Sequence, residues 1–325
     1  MWGLCALAAL ACQAPAPPAA SPGRCRQPVV LVTIDGVRPD EVLAPAARAW
    51  LPNLYQLIDR GVGLPVYASG PNFVSLPGYL EILTGRPARA CTDNACGLAD
   101  ELTLLDELRA LGWSCAAIAS WEIIEHAVSI DPATLPVSAG RHGGVTRASV
   151  RVDATAASLF DAGADSLAFP GVADYRPDRY TGPLGLAYLL VQKPCFFYIE
   201  LGDTDEYAHR RDYPSYLSAL TEFDDFLGQL DATLLALHRD AIVIVTTDHG
   251  RAADFGDHGA DEPSSHAWVV AAGGPLPSRG LRVPAAPRHL RDIAPTLRLA
   301  LGLPPDGSAF AGSPLEELLA GEVQP

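Results

Sequence analysis

Short polar motifs in the second half of the chain hold residues that suit a divalent metal ion. Asp205 and His209 stand four apart in "DEYAH", so one helical turn would place both on one face. Asp248 and His249 are adjacent in "TTDHGR", and His258 follows in "DHGAD". Carboxylate oxygen and imidazole nitrogen are ligands that zinc and related ions accept. The five residues therefore predict metal binding.

Two further residues, in the first half of the chain, could complete such a site. Asp35 ends the apolar run "PVVLVTID", and Ser75 opens the stretch "SLPGYLEILTG". Two ions roughly 3.5 to 4 Å apart form a clamp for phosphoryl or sulfuryl transfer. A serine between them would lose its proton and become a nucleophile. Ser-x-Pro at a helix start is also what capping predicts, so the stretch alone leaves both roles open.

The elements that must position these residues are short apolar strands alternating with amphipathic helices. The predicted strands cover residues 28–35, 115–120, 195–203, 241–248 and 267–274. Near-continuous apolar runs of this kind are typical of buried parallel strands, and the alternation predicts an α/β fold with a mostly parallel sheet. Because ligand sites lie beyond the carboxyl ends of such strands, Asp35, Asp205 and Asp248 are expected to converge.

The composition limits the classes of partner. The net charge of −15 argues against a nucleic-acid binding surface, which needs basic stripes. Residues 1–12 form an apolar run that is too short to span a bilayer and resembles a lipoprotein export signal. Cys12 would then carry the lipid and residues 13–27 would form a Pro/Ala-rich linker, which predicts a periplasmic or membrane-anchored protein. A disordered N-terminus is the alternative.

The cysteines are too few for a disulfide scaffold in a chain of 325 residues. Cys91 and Cys96 bracket the loop "CTDNAC" and could bridge in an oxidising compartment. Cys115 and Cys195 lie in strand-like runs, where buried, inert thiols are expected.

Five separated motifs, taken in order, resemble the alkaline phosphatase superfamily, and within it the type I phosphodiesterase and nucleotide pyrophosphatase branch. They are "TIDGVRPDEV", "VSLPGYLEILTG", "DEYAH", "TDHGR" and "DHGAD". The likeness covers residues 28–305, and the closing "RDIAPTLRLALGLPP" is similar to the superfamily's last helix. It implies a three-layer α/β/α sandwich and a single catalytic domain over residues 28–320.

The resemblance also implies a ligand set and a nucleophile. One ion, expected to be zinc with manganese as the alternative, is assigned to Asp205, His209 and His258. The second ion is assigned to Asp35, Ser75, Asp248 and His249. Ser75 becomes the expected nucleophile, and its capping role is retained.

Two positions leave alternatives open. The family often has an asparagine three residues after the nucleophile, where this chain has Gly78. Asn72 is the candidate substitute for contacting the substrate's phosphate oxygen, and a turn-forming asparagine is the alternative. His266 competes with His258 as a ligand, and His258 is favoured because it keeps the family's order.

The predicted activity is hydrolysis of small phosphate esters by two ions and Ser75. A modest preference for diesters is expected, because the candidate arginines for contacting phosphate are Arg38 and Arg251, and Arg251 could pair instead with a nearby acid such as Asp254 or Asp257. Phosphomonoesterase, sulfatase and phosphomutase are the alternatives within the superfamily. A sulfatase needs Cys/Ser-x-Pro-x-Arg, and Tyr79 stands at the arginine position. The non-enzyme alternative is a metal-binding surface lipoprotein.

Overall fold

The five predicted strands form the greater part of one mixed sheet. The computed structural model describes residues 27–141, 152–237, 240–308 and 311–319. The strands are β1 (Val29–Ile34), β2 (Gly61–Tyr67), β3 (Cys115–Ala119), β4 (Val137–Ala139), β5 (Phe196–Leu201), β6 (Ile242–Thr246), β7 (His266–Ala272) and β8 (Gly280–Leu281). Their order across the sheet is β4-β3-β5-β1-β6-β7-β2-β8. The predicted export signal with Cys12, and the linker up to residue 26, lie outside the described residues and stay predictions.

The sheet is parallel on one side of β6 and mixed on the other. Strands β4, β3, β5, β1 and β6 all run parallel. Strand β7 runs antiparallel to both β6 and β2, so the expectation that it is a parallel strand was wrong. The connection from β6 to β7 contains only a short 3₁₀ turn, Glu262–Ser265, and lacks the crossover helix that a parallel neighbour needs.

Helices cover both faces of the sheet. They are α1 (Pro39–Val42), α2 (Pro52–Asp59), α3 (Ser75–Thr84), α4 (Leu104–Ala110), α5 (Glu125–Val128), α6 (Ala154–Ala164), α7 (Asp178–Gln192), α8 (Asp203–His209), α9 (Tyr213–Ala236) and α10 (Ile293–Ala300). Alternate residues of β1 enter separate cores: Leu31 belongs to the core that includes Leu76 of α3, and Val32 to the core that includes Leu220 of α9. The predicted three-layer α/β/α sandwich is therefore confirmed. In the described part of the chain, no helix combines the length and the apolar character needed to cross a membrane.

The cysteines divide into bridged and free. Cys91 and Cys96 form the disulfide that the sequence allowed. Cys115 is free, and burial raises the pKa of its thiol to about 12, in keeping with an inert thiol. Cys195 is disulfide-bonded, so the expectation of a free thiol there was wrong.

The topology brings the predicted ligands to one edge. Strands β5, β1 and β6 are neighbours in the sheet. Helix α8, which carries Asp205 and His209, follows the carboxyl end of β5, while Asp35 follows β1 and Asp248 follows β6. Residues far apart in the sequence thus meet where an open parallel sheet places its ligand site.

Candidate metal and catalytic site

A first group of donors surrounds the side chain of His249. Its Nε2 atom lies 3.2 Å from Asp35 Oδ1 and 3.4 Å from Asp248 Oδ2. Ser75 Oγ is 3.3 Å from the same nitrogen. These side chains are almost completely buried, since Ser75 is 1% and His249 0% exposed. The structure therefore brings together the four residues that the resemblance assigned to one ion.

The hydrogen bonds of this group leave a place for a cation. His249 Nδ1 lies 2.7 Å from the carbonyl oxygen of Gly250, which can only accept, so Nδ1 carries a proton. In the neutral ring, Nε2 then directs a lone pair toward the carboxylates. Asp35 Oδ1 and Asp248 Oδ2 are buried without a hydrogen-bond partner among the described residues. Three electron-rich atoms facing one another fit a divalent ion.

The pKa values of Asp248 and His249 also indicate that the first group is stabilised by a positive charge. Burial and the neighbouring Asp35 carboxylate raise the pKa of Asp248 well above its usual range. Burial lowers the pKa of His249, but the Asp248 and Asp35 carboxylates outweigh it and raise this pKa to about 9. A divalent ion would supply the charge that a proton otherwise provides.

A second group of donors lies beside the first. His209 Nε2 is 3.1 Å from Asp205 Oδ2 and 3.1 Å from His258 Nε2. His258 Nδ1 lies 3.0 Å from the carbonyl oxygen of Phe73, so its Nε2 also presents a lone pair. Ligand atoms of Asp205, His249 and His258 lie within 4.8 Å of one another, as do those of Asp35, Asp248 and His249. The second cluster that fits a divalent ion thus takes His249 as its third donor, and His209 lies beside it in contact with Asp205 and His258.

Solvent reaches the two groups unequally. The side chain of His209 is 44% exposed and that of Asp205 is 13% exposed, whereas the His258 ring stacks on His249 with centroids 3.9 Å apart. The second group is therefore the open side of the site.

Arg251 is a buried cation within the second group. Its Nη1 atom donates to Asp205 Oδ1, and its side chain is fully buried. The alternative pairing with Asp254 or Asp257 is not found, because Arg251 pairs with Asp205 and Asp254 pairs with Arg211. Burial alone would raise the pKa of Asp205, but Arg251 and the two nearby histidines hold this pKa well below its usual range.

Ser75 does not cap its helix. The N-cap of α3 is Val74, which makes no side-chain capping bond, and Ser75 is the first helical residue. Asn94 Oδ1, in the loop closed by the Cys91–Cys96 disulfide, accepts from the backbone N–H of Leu76 at 2.9 Å. The expected capping role of Ser75 was therefore wrong, and its hydroxyl is left to face His249.

The remaining two candidates lie at the rim of the site. Asn72 Nδ2 donates to the carbonyl oxygen of Thr92 at 2.9 Å, so its amide group holds the disulfide loop. Its contact with substrate stays a prediction. His266 Nε2 lies 2.6 Å from Glu262 Oε1 and its ring contacts Tyr67. The structure thus places His258 in the donor group and gives His266 other partners.

Tyr79 is a site residue whose role the sequence reasoning missed. Its buried hydroxyl donates to Asp35 Oδ2 at 2.9 Å. Tyr79 lies one helical turn after Ser75, and this i,i+4 spacing was the available signal. Thr204 Oγ1 donates to the backbone carbonyl oxygen of Asp35 at 2.6 Å. Both contacts hold Asp35 with its second oxygen turned toward His249.

We predict that Tyr79→Phe weakens metal binding without unfolding the protein. Loss of a hydrogen bond to a ligating carboxylate typically lowers metal affinity by about 10- to 100-fold. Zinc titration of the chelator-treated variant measures this change. Tyr198→Phe is the matched control, because its buried hydroxyl bonds Thr33 and lies outside the donor groups. Equal loss of affinity in both variants would contradict the role given to Tyr79.

Comparison with known proteins finds a family model that matches part of the chain and a shared fold over most of it. The family model described as the Metalloenzyme superfamily matches residues 188–298. A phosphopentomutase of Deinococcus radiodurans is 35% identical over 111 residues, which are 34% of this chain and 26% of that protein. The chain thus matches about a quarter of the length of such curated relatives.

Two solved structures are similar over most of the chain. The phosphonate monoester hydrolase from Silicibacter pomeroyi has a TM-score of 0.63 at 16% identity, over 92% of this chain and 78% of that chain. A 2-O GAG sulfatase has a TM-score of 0.62 at 14% identity, over 90% and 74%. At these identities the likeness establishes the fold.

Proposed function

The chain carries the Metalloenzyme superfamily match within an alkaline phosphatase-like fold, and from this premise we propose that it is a two-ion phosphoric ester hydrolase with Ser75 as nucleophile. The predicted superfamily is confirmed, while its type I phosphodiesterase branch stays a prediction. The observation that carries the proposal is the convergence of two unpaired carboxylate oxygens and the His249 lone pair beside Ser75 Oγ.

The residues of the site have distinct tasks in this reaction. Bound ions, zinc or manganese, would lower the pKa of the Ser75 hydroxyl and neutralise charge developing on the ester. Ser75 Oγ forms a bond to phosphorus as the bond to the leaving oxygen breaks. Water then attacks the phosphorus, the bond from phosphorus to Ser75 Oγ breaks, Oγ regains a proton, and the product keeps the second substituent of a diester. Asn94 holds the start of the nucleophile helix at Leu76 throughout.

The charges around the site favour an ester with a single negative charge. Arg251 is committed to Asp205, and Arg38 donates from Nε to Glu41 at 2.8 Å. Arg251 Nη2 has no hydrogen-bond partner among the described residues, but the charge of each guanidinium is already balanced by a carboxylate, so little positive charge remains for the second negative charge of a phosphomonoester. A phosphodiester and a phosphonate monoester each carry one charge, so both fit. We therefore propose small phosphodiesters as the substrate class.

The alternatives are less well supported. Tyr79 occupies the position where a sulfatase requires arginine, and its hydroxyl is committed to Asp35. The similarity to phosphopentomutases covers 26% of the Deinococcus protein and supports shared ion chemistry rather than the complete mutase reaction. A surface lipoprotein without turnover would not need a serine held 3.3 Å from a ligand histidine.

A substrate screen tests the proposal. Purified protein, chelated and then resupplied with zinc or manganese, is assayed on bis-nitrophenyl phosphate, nitrophenyl phosphate, nitrophenyl phenylphosphonate and nitrophenyl sulfate. We expect ion-dependent turnover with the highest kcat/KM for the diester or the phosphonate. A monoester kcat/KM more than about tenfold above the diester value would overturn the substrate class. Absence of ion-dependent turnover on all four would overturn the hydrolase proposal.

A further inference from the structure

The two donor groups differ in charge although they lie side by side. Asp35 and Asp248 give the first group two carboxylates, and both have an oxygen without a partner among the described residues. The second group has one carboxylate, Asp205, and that carboxylate is already paired with the guanidinium of Arg251. With neutral imidazoles, the first group carries about two negative charges and the second, counted with Arg251, carries none.

Arg251 is held firmly in this position. Its Nε donates to the carbonyl oxygen of Phe255 at 2.6 Å, and its guanidinium lies 5.7 Å from the centroid of the Phe255 ring. The side chain is fully buried. Moving it away from Asp205 would leave a buried charge without a partner, which is strongly unfavourable. The ion pair is therefore expected to remain when an ion binds nearby.

The neighbouring backbone is shaped around the same ion pair. Gly36 has φ +63°, a conformation that other residues rarely adopt. A Cβ atom at this position would lie 2.5 Å from Asp205 Oδ1 and 2.6 Å from Arg251 Nη1. Only glycine leaves room for the carboxylate and the guanidinium together. The backbone directly after β1 thus makes room for the ion pair of Asp205 and Arg251.

We infer that Arg251 makes the two ion sites unequal. The site of Asp35, Asp248 and His249 fills first, and the site of Asp205, His209 and His258 fills only at higher ion concentration. The cause is that an ion at the second site must share Asp205 with a guanidinium and lies a few ångströms from its positive charge. This inference rests on the proposed two-ion function and adds the order in which the sites fill.

A calorimetric titration of the chelator-treated full-length protein with zinc tests the inference, because it measures the affinity of each binding step. We expect two steps of unequal affinity in the wild type. Arg251→Gln is expected to strengthen the weaker step by at least about tenfold and to leave the tighter step unchanged, because one nearby positive charge is removed. Arg38→Gln is the matched control: Arg38 lies over the same Phe255 ring at 5.1 Å but pairs with Glu41, so both steps should stay unchanged.

Two variants of candidate ligands show which donor group binds zinc in each step, and they do so even if Arg251→Gln fails to fold. Asp248→Asn should remove the tight step and Asp205→Asn the weak one. Arg251→Lys, which keeps the charge, should retain the weak step. The inference is overturned if the wild-type steps are equal, if Asp205→Asn removes the tight step, or if a folded Arg251→Gln leaves the weak step unchanged. Absence of zinc binding by the wild type would instead overturn the two-ion function itself.

Discussion

Replacing Ser75 by alanine is expected to reduce kcat on the preferred ester by roughly 10³-fold or more, because the group that forms the covalent bond is removed. The variant should remain folded. Ser75 Oγ contacts His249 and does not cap the helix, so its loss should change the free energy of unfolding by about 1 kcal/mol or less. Steady-state kinetics and thermal unfolding measure the two effects.

Ser69→Ala is the matched control for this prediction. Its hydroxyl is buried near the nucleophile helix and has no hydrogen-bond partner among the described residues. This variant should keep the wild-type rate. Mass spectrometry of wild-type enzyme acid-quenched with a diester should also find, on the peptide that contains Ser75, a phosphoryl group that still carries the second substituent of the ester. A folded Ser75→Ala variant with near wild-type kcat would disprove its role as nucleophile.

Replacing Asp248 by asparagine is expected to remove most of the stabilisation that zinc gives to the protein. A ligand at about a thousand times its dissociation constant adds about 4 kcal/mol to the free energy of unfolding. The variant loses a carboxylate of the tighter site. At low zinc, the increase in its free energy of unfolding should therefore be less than about half of the increase in the wild type. Without zinc the variant should be at least as stable as the wild type, because burial and the neighbouring Asp35 carboxylate, which raise the pKa of Asp248 well above its usual range, already disfavour its charged form.

Thermal unfolding with zinc and with chelator measures both parts of this prediction. Asp224→Asn is the control, since Asp224 is a buried aspartate that accepts from the backbone N–H of Leu54 at 2.7 Å, away from the site. It should lower stability under both conditions and keep the full response to zinc. An Asp248→Asn variant with the wild-type zinc response would exclude Asp248 as a ligand.

The sequence predicted well which donor residues come together, because simple rules govern where they lie. Asp35 and Asp248 follow strongly apolar runs, and the rule for parallel strands places such residues at one edge. Tyr79 could have been found in the same way, from its position one turn after Ser75. These predictions needed only the period of a helix and the direction of a strand.

Contacts between distant loops could not be predicted in this way. Arg251 was assigned to nearby acids, but its partner Asp205 lies 46 residues earlier. The cap of the nucleophile helix comes from Asn94, and nothing in the local sequence around Leu76 indicates it. Strand β2 was missed because Gly61, Gly63 and Pro65 disfavour a strand, and pairing with β7 overrides this preference.

The place of β1 in the sheet has a consequence for the way the protein folds. Val29 pairs with Phe196 on one side and with Ile242 on the other, so the earliest described strand is completed by partners made much later. Pairings between such distant segments close slowly and leave apolar edges exposed meanwhile. During synthesis, Asp35 therefore has no fixed surroundings until residues beyond Asp248 have emerged. The candidate metal site is then among the last features to form. A metal ion can therefore bind there only after nearly all of the chain has been synthesised.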